Sequence, residues 1–184
     1  GEQIRADGGA GGEGVDIGQR VREIGDDLAD TQDRIGIIDD MLERTPERRP
    51  IDVAALVAER RDGWTEAHPS GTLTVDVPDG LEAAGGEHVD QAIGELVENA
   101  FEHGGDPPAV TIRGRQTDGA VEIEILDDGD GFPEQERELI NEDRTETQLH
   151  HSSGLGLWLA KWILEHYGGS LTVGDREDGT GGRA

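Results

Sequence analysis

With 42 aspartates and glutamates against 16 lysines and arginines, a formal charge of -26, this 184-residue chain can build a core only where apolar residues recur at a fixed period. Hydrophobic residues make up 33% of it and aromatic residues 3%. A core must therefore come from a few well-patterned segments wrapped in an extreme surface. The length suits one ordinary domain plus an appended element. Such a surface repels nucleic acid phosphates and anionic lipid, so neither is an expected partner. The acidic residues are spread along the chain without blocks and Lys161 is the sole lysine, a composition suited to high salt, which screens self-repulsion. With no cysteine, disulfides, thiolate chemistry and Cys-type zinc sites are excluded. No apolar run approaches the roughly 18–20 residues that span a bilayer, and no signal peptide is visible. The expected location is the cytoplasm, with membrane anchoring of a longer protein left open.

Residues 1–14 are glycine-rich and polar without a period, a flexible lead-in or a hairpin turn. From Ile17 the apolar positions run Ile17, Val21, Ile24, Leu28, Thr31, Ile35, Ile38 and Leu42, alternating steps of four and three. That is the seam of a heptad helix over residues 15–45, and its narrowness points to a bundle. Pro46 and Pro50 close it, and residues 46–51 read as a linker. Asp52 is positioned to cap a short helix through about Arg61.

Leu73 to Val77 alternates as a strand, and Leu81 to Ala84 forms a shorter one. His88 to His103 is an amphipathic helix with Val89, Ala92, Ile93, Leu96, Val97 and Ala100 on its inner face. Val110 to Arg115 and Val121 to Leu126 make a hairpin. A long polar segment, about 128–153, has the length of a functional lid, with a turn or two of helix after Pro133. A helix over Leu155 to Tyr167 and a strand at Ser170 to Val173 follow. Helices and strands mix without βαβ alternation, so the predicted class is α+β: one sheet with helices on one face.

Three stretches carry the chemistry. On the helix, Glu95, Asn99 and His103 stand at i, i+4 and i+8, offering a carboxylate and an amide oxygen to a cation. Oxygen donors suit Mg2+, which keeps several waters and takes phosphate oxygens. A solvated polar face is the bland alternative. Asp127 then ends an apolar-leaning strand, followed by Gly129 and Gly131. A carboxylate there accepts a hydrogen bond from an exocyclic amine such as adenine N6, and glycines let the backbone approach a flat ring; a simple turn is the alternative. Lastly, Gly154-Leu155-Gly156-Leu157 opens an apolar helix, whose first N–H groups and positive end favour phosphate. No Gly-Lys-Ser/Thr follows, so this is not a P-loop, and no parallel βαβ unit surrounds it.

In this order, with a polar lid between the second and third, the stretches resemble the Bergerat-type ATPase and kinase superfamily of gyrase, Hsp90, MutL and histidine kinases. The resemblance covers roughly Asp52 to Gly182, with Glu95 to Gly104 similar to the N box, Asp127 to Gly131 to the G1 box and Gly154 to Leu157 to the G2 box. The compact size, short lid and helix from Trp158 look most like sensor histidine kinases, particularly those of salt-loving archaea. The resemblance implies a two-layer α/β sandwich with a mixed sheet over 52–184, preceded by a long bundle-forming helix.

It also implies ATP and Mg2+ as ligands. Asn99, with Glu95 as a second candidate, would hold Mg2+, and both would take part in catalysis. Asp127 would recognise adenine between Gly129 and Gly131, while Gly154, Leu155, Gly156 and Leu157 close the phosphate side. Glu95 stands where Asn is frequent in these kinases and where the ATPases carry a water-activating base. Glu102 replaces a frequent phosphate-contacting Lys or Arg, and His103 is the candidate to take part of that role.

A histidine kinase needs a phosphoacceptor His followed by an acidic residue, Leu and Arg. None of His68, His88, His103, His150, His151 and His166 has that context. The heptad helix resembles the second helix of a phosphoacceptor hairpin, and the family's final strand looks missing after the terminal run Gly179 to Ala184. The implied function is the ATP-binding catalytic domain of a two-component sensor histidine kinase. It would transfer the γ-phosphoryl group to a histidine outside this chain, for relay to a response-regulator aspartate, with homodimerisation through the heptad helix. Two alternatives stay open: an ATP hydrolase with Glu95 as general base, and a regulatory dimerisation module with a vestigial nucleotide site.

Overall fold

The computed structural model describes residue 29 and residues 31–141, 152–176 and 181–184. The chain divides into two compact units, Gly1–Asp40 and Met41–Ala184. Helix α1 occupies residues 31–43, and the heptad positions Ile17, Val21, Ile24 and Leu28 lie outside the described residues. Thr31 and Ile38 are partly covered, whereas Ile35 is 57% and Leu42 80% exposed. These two exposed residues stand seven apart on the seam the heptad pattern predicts.

The expected linker is shorter than the sequence suggests. Residues 45–48 are irregular, but Arg49–Asp52 form strand β1, antiparallel to β3 (Glu82–Gly85), with Arg49 opposite Gly85 and Asp52 opposite Glu82. Helix α2, Val53–Ala67, begins where Asp52 Oδ1 accepts the Ala55 N–H at 3.0 Å, the predicted cap. It runs beyond Arg61 because Trp64 continues the buried face begun by Val53 and Val57.

The main sheet has the order β2-β4-β5-β7-β6. Its strands are β2 (Thr72–Asp76), β4 (Ala109–Thr117), β5 (Ala120–Leu126), β6 (Gly174–Asp175) and β7 (Gly182–Arg183). β2 and β4 are parallel and the other pairs antiparallel, so the sheet is mixed. Along β4, Val110 and Ile112 are buried while Arg113 and Arg115 face outward, the alternation of a sheet covered on one face. On the outward face Arg115 pairs with Glu122 at 2.7 Å, and Arg183 reaches Glu124 at 3.4 Å.

The covering layer includes α3 (Val89–His103), packed against β4, β5 and α5 (Ser152–His166). Val97, Leu159, Ala160, Ile163, Ile112 and Ile125 form its centre, each at most 2% exposed. Burying a side chain the size of valine, leucine or isoleucine contributes roughly 1.5–3 kcal/mol, so a few patterned segments suffice. The fold is the predicted α+β sandwich.

Three local expectations change. Ser170 to Val173 is irregular: the Val173 N–H donates to Asn141 Oδ1 at 2.9 Å and its carbonyl accepts from Asn141 Nδ2 at 2.8 Å, so a side chain takes the place of a strand partner. The strand, β6, starts only at Gly174. Within the predicted lid, Glu134–Asn141 form helix α4, whose Ile140 is buried; residues 142–151, with His150 and His151, lie outside the described residues. Finally, no strand is expected within the glycine-rich run at the end of the sequence, but β7 pairs there with β5, and Ala184 and Ile125 exchange backbone hydrogen bonds at 2.9 and 3.0 Å. No helix among the described residues is long and apolar enough to cross a membrane.

Candidate functional site

Helix α3 turns its apolar stripe to the sheet, which leaves the neighbouring stripe for polar groups. Glu95 sits at the border, 4% exposed, with Oε1 accepting from Gln91 Nε2 at 2.9 Å. A buried carboxylate needs such a partner. Asn99, one turn on, is half-buried, and His103 is exposed in the last turn. Among the described residues no group of three or more His, Cys, Asp or Glu side chains is arranged to hold a metal ion. Glu95 and Asn99 each carry a side-chain oxygen, the donor type that a hard cation such as Mg2+ takes.

Glu102 does not join this pair. It lines a cleft of about 410 Å3 between α2 and α3, together with Trp64, His68 and Glu98. His68 stacks flat on Phe101 beside it, with ring centroids 4.4 Å apart.

Asp127 follows β5 and is 6% exposed. Its Oδ1 accepts the Gly129 N–H at 2.8 Å and the Gly182 N–H at 2.9 Å. Its own N–H donates to the Gly182 carbonyl at 3.1 Å, and Arg176 Nη1 donates to its carbonyl at 3.2 Å. One carboxyl oxygen is thereby fixed, while Oδ2 accepts no hydrogen bond among the described residues. A Cβ on Gly182 would stand 2.5 Å from Oδ2, so glycine there keeps this oxygen accessible to a donor such as an exocyclic amine.

The sequence pattern assigns Gly129 and Gly131 to the wall of a flat ring; the structure gives a nearer reason for glycine. A Cβ on Gly129 would collide with the His103 carbonyl oxygen. Gly131 has φ +81°, and a Cβ there would lie 2.6 Å from Asp175 Oδ1. The loop after β5 is thus pressed between the end of α3 and β6.

Three contributors are not signalled by the sequence motifs. Gly181, at φ +94°, and Gly182 pack directly on Asp127; the one hint of them is the glycine-rich run from Gly179 to Gly182, which has no strand period. Asp128 Oδ1 accepts the N–H groups of Gly105 at 2.9 Å and Ala109 at 2.8 Å. Those two donors, Ala109 foremost, hold its carboxyl below the ordinary 3.8.

On the opposite side, α5 begins at Ser152, so Gly154 lies inside its first turn instead of preceding it. The first-turn N–H groups expected to favour phosphate therefore start at Ser152. Leu155 is half-buried, Gly156 and Leu157 buried. Lys161, 3% exposed, donates to the Ile140 carbonyl at 2.6 Å and approaches Glu165 at 3.5 Å, joining α5 to the end of α4. The structure thus brings α3, the loop after β5 and β7 into direct contact, with α5 alongside α3.

Residues 85–183 match the family model described as histidine kinase-, DNA gyrase B-, and HSP90-like ATPase. The chain is 29% identical over 147 residues to the sensor-like histidine kinase SenX3 of Mycolicibacterium smegmatis, covering 76% of this chain and 38% of that protein. It superposes with TM-score 0.71 on full-length ShkA in complex with AMPPNP, at 20% identity, covering 96% of this chain and 38% of that one. With the histidine kinase ThkA, solved in complex with the response regulator TrrA, the TM-score is 0.69 at 18% identity, covering 91% and 49%. At these identities the structural likeness shows the fold. The chain spans well under half the length of the curated relatives it matches.

Proposed function

The chain belongs to the histidine kinase-, DNA gyrase B- and HSP90-like ATPase family, as an ATP-binding domain of histidine-kinase type, and from that premise we propose that it is the catalytic domain of a two-component sensor kinase. It transfers the γ-phosphoryl group of ATP to a histidine outside this chain, for relay to a response-regulator aspartate. The observation that carries this reading is Asp127, buried and held through Oδ1 by two backbone N–H groups with Oδ2 left as an acceptor. That oxygen meets adenine N6, with Gly129 and Gly131 shaping the loop beside the ring. Asn99 and Glu95 would hold Mg2+, which would supply charge neutralisation on the phosphates. Gly154, Leu155, Gly156 and Leu157 border the phosphates, and exposed His103 is available to them.

In the transfer, a phosphoacceptor imidazole nitrogen attacks the γ-phosphorus in line. The bond from that phosphorus to the bridging oxygen breaks, the imidazole N–H proton is lost and ADP departs. The domain's own part is positioning, since this chemistry needs no covalent group from it. The exposed Ile35 and Leu42 of α1 support pairing with a second copy through the heptad seam. The dispersed acidity supports operation at high salt.

Burial of Glu95 against Gln91 favours a second reading, ATP hydrolysis with Glu95 as general base. One experiment separates the two. The full chain is incubated with γ-labelled Mg-ATP and a separately supplied helical hairpin bearing a His-acidic-Leu-Arg phosphoacceptor. Acid-labile label on the hairpin, and none on the chain, is the expected outcome. Phosphate release that disappears in Glu95→Ala while ATP still binds identifies hydrolysis instead. Bound Mg-ATP with neither product contradicts both catalytic readings.

A further inference from the structure

Asp128 belongs to none of the roles assigned so far, yet its single Oδ1 bonds both ends of the 105–109 turn, at Gly105 and Ala109. That turn follows α3 directly, and α3 carries Asn99 and His103. The residue before Asp128 is the adenine-side carboxylate, and the residue after it packs on the His103 carbonyl. Gly105 is itself moulded to the side chain: a Cβ there would lie 3.0 Å from Asp128 Oδ2.

Resting on the nucleotide-binding reading above, we propose that Asp128 is a positioning residue that sets the spacing between Asp127 and the end of α3, so that one ligand is gripped at both its adenine and its phosphate ends. The backbone alone does not fix that spacing. Helix α3 ends at His103, and Gly104 and Gly105 follow it, so the turn needs an external tie to keep one geometry. A carboxylate accepting two backbone N–H groups provides it, and such charge-assisted bonds are the stronger kind. The depressed carboxyl pKa agrees with an oxygen engaged by both donors, with Arg176 adding a smaller attraction.

The test compares two probes that differ in reach, Mg-ATP and adenosine, by competition titration on wild type, Asp128→Ala and Asp128→Asn. Adenosine needs only the Asp127 side, whereas Mg-ATP needs both ends in register. Asp128→Ala is expected to weaken Mg-ATP about tenfold and leave adenosine within about twofold. Asp128→Asn keeps an oxygen acceptor for both donors and is expected to bind Mg-ATP within about twofold of wild type. Equal weakening of both probes in Asp128→Ala signals general loosening and overturns the role, as does unchanged Mg-ATP binding. If Asp128→Ala does not fold, Asp128→Asn decides: retained Mg-ATP affinity supports the hydrogen-bond tie, and a tenfold loss overturns it. Wild type that binds no Mg-ATP overturns the nucleotide reading itself, a result distinct from all of these.

Discussion

A methyl group at Gly129 would drive into the His103 carbonyl oxygen, and that collision joins two stretches well separated in sequence. Gly129→Ala should lower stability by about 1–3 kcal/mol, because either the loop or the end of α3 must move. Mg-ATP affinity should fall with it. Urea unfolding of wild type and variant checks the first, since a shifted midpoint at unchanged slope reports stability. Equal midpoints would show that the loop relaxes freely. At this scale Asp127 is legible in the sequence, because a carboxylate ending an apolar strand is a local pattern. The tie from Asp128 to Ala109, 19 residues away, and the bond from Gly182 to Asp127, 55 residues away, are not. Nothing near Asp128 in sequence distinguishes a clamp from a turn residue. The Gly181-Gly182 pair acquires meaning only when β7 lies beside β5.

Helices α2, α3 and α5 and strands β2, β4 and β5 are readable because each repeats its own period long enough to bury one face. The elements that the sequence hides are short and defined by a partner: β1 by β3, β6 by β7, and the Val173 backbone by an asparagine side chain. Helix α4 shows in the sequence only as a turn or two, because half of its residues are charged and its fixing points lie elsewhere. Its C-terminal end is held by Asn141 to Val173 and by Lys161 to the Ile140 carbonyl. Asn141→Ala leaves the Val173 N–H and carbonyl without that partner and should cost about 1–3 kcal/mol. Hydrogen exchange is the direct check: protection of the Val173 amide should drop in the variant, while protection in α3 stays. Unchanged Val173 protection would mean that the side chain is not what holds this segment.

For the molecule as a whole, a charge of -26 opposes compactness, and within Met41–Ala184 the fold answers by burying its core residues between a layer of helices and one sheet face. Salt shortens the range of that repulsion, to about 3 Å at 1 M. The family is legible in three separated stretches of sequence. The contribution of β7 beside Asp127 is not, because a glycine-rich run carries no strand period and its two paired residues are defined by β5 and β6. On the proposed reading, Asp127 presents one accessible oxygen to the adenine of ATP. Calorimetric titration of Mg-ATP into the full chain at molar salt tests it most directly. Asp127→Asn keeps an oxygen for the Gly129 and Gly182 N–H groups but turns an amide donor toward the adenine amine. Single-site binding by wild type, weakened at least about tenfold in the variant, is the predicted result; equal binding by the two proteins, or none by wild type, would contradict it.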